Sequence, residues 1–416
     1  MKKVAIWCEH SFQIYSALPV IQKYLKNNEV ILFTKQENVK VVNAIIKNDN
    51  FFVESLNNYI YKPASIFKEI FEILFVSENF SFVYKNEFVK KESLNRRLLR
   101  KIFFLKIPAR KINSTFMVLN RFFFKKKSID NYFNLDLLIT FTKVYYTHLI
   151  PSKSNLTHIS IMESWDHPMK FPYYIFPDYC LTWNKELAED TKRIQHLFKV
   201  GQISPLKFKY IYDYKNYKDE DLYNKIIKTE YFKELDKLKN KKIILYPTTT
   251  SSSGIMHEGE MKLIDLLCKV FNGSNFYLYI KPKPNAPSGD YDQFKNYKNV
   301  IVGVYSNNSS GSDMLDNNYH IFRYLLLKES YHVINAGTTF ALEAALMDKS
   351  ITQLNMNIGD FLGFDKFCKT YHLNKYILSL PGVFKISNHN YLDLLDEVKK
   401  GENIFSLKLK SWITNW

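Results

Sequence analysis

Residues 331–346 run Tyr331-His332-Val333-Ile334-Asn335-Ala336-Gly337-Thr338-Thr339-Phe340-Ala341-Leu342-Glu343-Ala344-Ala345-Leu346. Val333 and Ile334 favour a buried strand, Gly337 permits a tight turn, and 340–347 is rich in helix formers. The order strand, small-residue turn, helix predicts a β-α junction with Thr338 or Thr339 as the N-cap. Such a junction aims backbone N–H groups and the positive helix end beyond the strand's carboxyl edge, which suits a phosphate. An ordinary Thr-capped turn with no ligand satisfies the same residues.

Outward from this junction the same alternation recurs. Strands are predicted over 243–246, 276–280 and 300–304 and helices over 260–271 and 320–327, with 351–354 closing the series as its last strand. Toward the N-terminus, 3–8 and 29–34 read as strands and 13–26 and 37–47 as helices, followed by strands over 136–141, 158–162 and 179–183. Two β-α series predict two doubly wound, Rossmann-like α/β domains. All twelve glycines lie after residue 200, so the first domain lacks a glycine-rich dinucleotide loop. The expected organisation is a first domain over 1–205, a charged, Tyr-rich linker over 206–240, a second domain over 241–390 and a helical tail over 391–416.

With 416 residues the chain can hold two cores of ordinary size. No run of eighteen apolar residues occurs, and Glu9 and His10 interrupt the N-terminus before a signal-peptide core could form. Cys8, Cys180, Cys268 and Cys368 are widely spaced, as in a cytosolic protein with reduced core thiols, and none pairs at metal-ligand spacing. The net charge of +17 is concentrated: 90–127 holds thirteen Lys and Arg against Glu92 alone, which is +12. Within this insert, about 87–127, a helical projection of 94–105 sets Leu94, Leu98, Ile102 and Leu105 opposite Arg96, Arg97, Arg100 and Lys101. That pattern fits docking on an anionic membrane surface, or a helix packed on its own domain with a solvated basic face. Charge gathered in one amphipathic segment argues against a nucleic-acid partner.

Three predicted strand ends of the second domain bear hydroxyls, lysines or a helix start. They are Thr248 and Thr249 in a hydroxyl-rich loop, Lys281 and Lys283 between prolines, and Gly337-Thr338-Thr339. Together they describe a diphosphate site without a metal-binding carboxylate pair. Glu343, one turn into the last helix, can reach a ribose or sugar hydroxyl, or simply complement the helix dipole. Arg323 can meet a phosphate or face solvent. In the first domain Asp166, and next His10 and Glu9, follow apolar strands and could take a proton from an acceptor hydroxyl; Asp166 could equally cap a turn before Pro168.

On Ile244-Leu245-Tyr246-Pro247-Thr248, Tyr279-Ile280-Lys281-Pro282-Lys283-Pro284, 330–354 with Gly337-Thr338-Thr339 and Glu343, and Ser164-Trp165-Asp166 with Leu181-Thr182-Trp183-Asn184, the chain resembles GT-B glycosyltransferases. It is similar more narrowly to bacterial capsule and lipopolysaccharide enzymes related to CDP-glycerol glycerophosphotransferases. The resemblance implies two domains facing a cleft, the second holding a nucleotide-linked sugar donor and the first a glycan or glycolipid acceptor. It implies that Thr248, Thr338 and Thr339 hold donor phosphates and that Glu343 contacts donor sugar or ribose. Relatives usually carry an Arg and a His-Pro pair where this chain has Lys281 and Lys283-Pro284. Glycerophosphotransferases show an Asp-Tyr-Ser-Ser type turn where it has Asn335-Ala336-Gly337-Thr338-Thr339, which favours sugar transfer.

The expectation is an inverting, metal-independent glycosyltransferase with no cofactor beyond its donor substrate, building a surface glycan on the cytoplasmic face of a membrane. A UDP-N-acetylglucosamine 2-epimerase type of enzyme and a glycerophosphotransferase are the alternatives.

Overall fold

The computed structural model describes residues 1–56, 134–141, 156–164, 177–249 apart from 196 and 198, 255–305 apart from 285, 315–370 and 376–414. The amphipathic stretch with Arg96, Arg97, Arg100 and Lys101 lies outside these residues, and so does Asp166. The chain forms two compact units, Met1–Lys207 and Phe208–Asn415.

The first unit holds a seven-stranded parallel sheet in the order β3-β2-β1-β4-β5-β6-β7. Its strands are β1 (Lys2–Trp7), β2 (Asn28–Thr34), β3 (Phe51–Ser55), β4 (Leu137–Thr140), β5 (Thr157–Ile161), β6 (Tyr179–Thr182) and β7 (Val200–Gln202). Val4 pairs with Val30 on one side and Leu137 on the other, so β1 is central and buried on both faces. That explains its continuous apolar run. Ala5, Trp7, Ile31, Phe33, Leu56 and Leu138 build one core beneath it. Helices α1 (Ser11–Leu25), α2 (Gln36–Ile45) and α3 (Lys185–Gln195) follow β1, β2 and β6.

The second unit has a six-stranded parallel sheet, β10-β9-β8-β11-β12-β13. It comprises β8 (Lys242–Pro247), β9 (Phe276–Lys281), β10 (Val300–Val302), β11 (His332–Asn335), β12 (Ile351–Met356) and β13 (Val383–Ile386). The sequence reading ended the series at 351–354, but β13 adds to β12 in register Leu354↔Phe384. It is short and partly exposed, so its apolar signal is weak. Likewise β7, absent from the strands predicted for the first domain, pairs with β6. The principal helices are α4 (Lys209–Tyr214), α5 (Asp219–Ile226), α6 (Glu230–Leu238), α7 (Ile255–Phe271), α8 (Asn317–Glu329), α9 (Phe340–Leu346), α10 (Phe364–Thr370), α11 (Leu394–Lys400) and α12 (Ile404–Thr414).

Two segments differ from the sequence expectation. From Phe208, the stretch read as a linker is part of the second unit. Tyr210, Ile211, Leu222, Ile226, Leu235 and Leu238 are buried, and Tyr231 stacks on Phe322 at 5.0 Å. A solvated linker has no such apolar stripe. The tail supplies α12, which buries Phe405, Leu409, Trp412 and Ile413 and packs on α9 and β12. Gly259 in α7 lets the backbone at Phe361 approach so closely that an added Cβ would stand 2.0 Å from its carbonyl oxygen.

All four cysteines are buried free thiols. Burial, then Glu163 and Glu9, pushes Cys8 well up; burial and Asp265 push Cys268 up to about 12. Burial, then Glu260 and Asp365, raises Cys368 well above its ordinary value. Among the described residues no helix is long and apolar enough to cross a membrane.

Candidate functional site

In both sheets the first strand lies between the second and the fourth, so consecutive connections leave it in opposite directions. The crevice beyond the carboxyl ends at such a switch point is where open α/β sheets bind ligands. In the second unit it lies between β8 and β11, where Ile244 faces His332 and Leu245 faces Val333.

Three chain ends meet around this position. After β8, the Thr248 amide donates to the Lys281 carbonyl at 3.0 Å, and the Thr248 hydroxyl accepts from the Lys283 amide at 2.9 Å. The end of β9 is thereby tied to the end of β8. Glu260, fully buried in α7, accepts from the Thr249 amide at 2.5 Å and the Tyr246 hydroxyl at 3.1 Å. The Lys283 ammonium donates to the Thr249 carbonyl at 3.3 Å. Thr248, Thr249, Lys281 and Lys283 thus form one connected edge.

After β11, Asn335 organises the turn. Its Oδ1 accepts from the Thr338 amide at 3.1 Å and the Thr338 hydroxyl at 2.7 Å, while Nδ2 donates to Gln353 at 2.6 Å. Gly337 takes φ 155°, which a side chain would resist. Thr339 is the N-cap by position, but its side chain makes no capping bond. The Thr338 hydroxyl instead accepts from the Phe340 amide at 3.3 Å, so it is committed to the turn.

Glu343 sits on α9 with 1% of its side chain exposed, and both its oxygens are engaged. Arg323 of α8 pairs with Oε1, and the Tyr210 hydroxyl of α4 donates to Oε2. Arg323 is 12% exposed, so it faces inward rather than solvent. Burial disfavours its charge, but Glu343 more than compensates and holds its pKa above the ordinary arginine value. Both Lys281 and Arg323 lie over the Phe340 ring, at 5.5 and 5.1 Å to its centroid. Lys281 is 8% exposed, and its ammonium donates to the Tyr319 hydroxyl at 3.3 Å. Among the described residues no carboxylate pairs with Lys281 within salt-bridge distance. Two cations therefore lie over one aromatic ring, one of them paired with Glu343, and the other, Lys281, lines a pocket with Tyr231, Tyr279, Pro282, Tyr305 and Tyr319.

In the first unit the corresponding switch point lies between β1 and β4. The amides of Glu9 and His10 both donate to the Gln13 side-chain oxygen, at 2.7 and 2.9 Å. Lys35 Nζ approaches His10 Nδ1 at 3.4 Å, and the His10 ring stacks on Phe12. Burial raises the Glu9 pKa, and the Trp7 ring N–H and Lys35 oppose it. Glu9 and His10 thus stand together at one strand end, as their adjacency in sequence required.

Sequence reasoning missed Glu260, Asn335 and Tyr210. Helical spacing could have found Glu260, which shares the apolar face of Leu263, Ile264, Leu267 and Phe271. Tyr210 lies 133 residues from Glu343, and no local signal joins them. Among the described residues no group of three His, Cys, Asp or Glu could hold a metal ion.

No protein-family model matches the chain, and no curated protein matches it. Solved structures do. The UDP-GlcNAc 2-epimerase from Neisseria meningitidis bound to UDP-GlcNAc is similar at TM-score 0.51 and 12% identity, over 99% of this chain and 97% of that one. S. aureus MnaA in its structure with UDP is similar at TM-score 0.51 and 10% identity, over 100% and 93%. The wall teichoic acid polymerase TagF aligns at TM-score 0.47 and 10% identity, over 99% and 83%. At these identities the likeness is one of fold: two parallel-sheet α/β units of the GT-B class.

Proposed function

We propose that the second unit binds a nucleotide-linked sugar and that the chain is a glycosyltransferase acting on a growing surface glycan. The observation that carries this is Lys281, a buried ammonium beside the switch point, held by Tyr319 and Phe340 and matched by no carboxylate among the described residues. A buried cation of this kind favours an anion, and tyrosines line the small pocket next to it. Lys281, Lys283, Thr248, Thr249 and the Gly337-Thr338-Thr339 turn bind the diphosphate, and the lysines offset charge developing on the leaving phosphate. Inversion at the sugar carbon then needs one proton acceptor from the first unit: Asp166, His10 or Glu9. Burial raises the Glu9 pKa, the direction that suits a carboxylate taking a proton. Docking on an anionic inner membrane surface through Arg96, Arg97, Arg100 and Lys101 belongs to the same proposal.

Thermal shift and calorimetry with UDP, CMP, GDP and CDP compounds test the donor site. Lys281→Met should weaken binding of the stabilising nucleotide about tenfold or more, the size of a lost hydrogen bond to a charged group. Unchanged affinity would remove Lys281 from the site. The sugar-nucleotide epimerase is the second reading, because the N. meningitidis epimerase shares the fold over nearly the whole of both chains. Incubation with UDP-GlcNAc and no acceptor separates the two: an epimer signal by NMR favours the epimerase, and its absence with sugar transfer to an added acceptor favours the transferase.

A further inference from the structure

The charged groups gathered near the start of α9 differ in how much of each stays accessible. Glu343 has 1% of its side chain exposed, and its oxygens are engaged one each by Arg323 and the Tyr210 hydroxyl. A carboxylate so enclosed has little surface left to meet a sugar or ribose hydroxyl. Arg323 keeps 12% exposed while Glu343 Oε1 accepts from its Nη2. A guanidinium carries five N–H donors in one plane, more than a single carboxylate oxygen consumes, and its flat fork matches phosphate oxygens. Its central carbon lies 5.1 Å from the Phe340 centroid and 6.0 Å from that of Tyr210, so two rings and one carboxylate hold its plane. Lys281 Nζ lies 5.5 Å from the same Phe340 centroid. The two cations are therefore no farther apart than those two Phe340 distances laid end to end, which a diphosphate hydrogen-bonded at both ends can span.

We infer that Glu343 is a positioning residue that acts on the donor through Arg323, and that Arg323 joins Lys281 in meeting the donor's diphosphate. The inference rests on the donor-site reading above and replaces the direct contact to sugar or ribose that the resemblance implies for Glu343. Burial alone would disfavour the guanidinium charge, and the Glu343 carboxylate offsets that cost. Tyr210 occupies the second oxygen, so the carboxylate has one orientation and sets one orientation of Arg323. All five side chains, Tyr210, Lys281, Arg323, Phe340 and Glu343, belong to the second unit.

The test uses the full chain and calorimetry with two kinds of probe. Inorganic pyrophosphate reports the cations alone, and UDP, CDP and GDP with their glucose conjugates report the donor reading. The parent should bind pyrophosphate and one of the nucleotides. Arg323→Gln, whose amide can still donate to Glu343, should bind both about tenfold or more weakly, the size of a lost hydrogen bond to a charged group. Adding Glu343→Gln to Arg323→Gln should leave both affinities unchanged or raise them, because a carboxylate without its arginine repels phosphate and touches no part of the ligand. A further loss of about fivefold or more on the nucleotide, the size of a lost neutral hydrogen bond, would make Glu343 a ligand contact and overturn the positioning role. Parent-like pyrophosphate affinity in the double variant would remove Arg323 from the site. Should Arg323→Gln fail to fold, Arg323→Lys, which keeps the buried charge paired, takes its place in the same comparison. A parent that binds pyrophosphate and no nucleotide would overturn the donor reading and leave the two cations as an anion site; a parent that binds neither would overturn both.

Discussion

The two units share a strand order and put different chemistry at its switch point. In the first, Gln13 takes the Glu9 and His10 amides just beyond β1, so the strand end is closed by the helix it leads into. In the second, Asn335 closes the turn from the strand side, and the helix start is left to a Phe340 ring flanked by two cations. One topology thus yields a neutral capped end with an acid beside it, and a cationic end with its carboxylate tied down. The difference lies in a few side chains at strand ends, as expected when a fold positions a site without dictating its chemistry.

The largest expected effect breaks the cationic end. Arg323→Ala leaves Glu343 buried with Tyr210 as its neutral partner, and loss of one member of a buried pair costs about 3–5 kcal/mol. Hydrogen exchange should show that loss at β11 and α9, with β1 unchanged; protection lost equally at β1 would mean that the units do not respond separately. The next effect concerns a feature the units have in common. His158 on β5 bonds Thr140 on β4 at 3.0 Å, and His332 on β11 bonds Thr352 on β12 at 2.8 Å. Each pair bridges the fourth and fifth strands of its sheet order, with the histidine on opposite members. Burial lowers both histidines from 6.5 to about 4, against a weaker opposing pull from Asp178 on His158. The unfolded chain therefore takes up the proton first as pH falls. Stability from each is complete above about 6.5 and disappears toward pH 4, about 3 kcal/mol apiece. Urea titrations between pH 7.5 and 4.5 should show it, and His332→Gln should flatten the slope for the second unit alone. The smallest effect is at the capped end: Gln13→Ala should cost the first unit about 1 kcal/mol, as for a lost helix cap, in the same urea assay at pH 7.5.

Strand and helix alternation made the two parallel sheets legible, since buried central strands such as β1 and β8 are apolar throughout. Strand ends at Thr248, Lys281 and Gly337 followed from the same pattern, and the structure brings them to one edge. What stayed hidden depends on pairs far apart in the chain. Tyr210 was read as linker because its burial is set by α8 and α9, more than a hundred residues away. Glu343 reads from sequence as reaching a sugar hydroxyl or complementing the helix dipole, and nothing near it announces Arg323 as its partner. Asn335, inside the very stretch that suggests a phosphate turn, looked like a strand terminus; its amide oxygen, and not a threonine at the cap, sets the turn.

The buried cysteines have a practical consequence. Alkylation and disulfide exchange proceed through the thiolate, and three of these thiols are held far from ionising at neutral pH by burial and nearby carboxylates. Cys180 is sealed in the sheet as well. Reagents at neutral pH should therefore select any cysteine placed on the surface, so probes can be installed one at a time on an otherwise native chain.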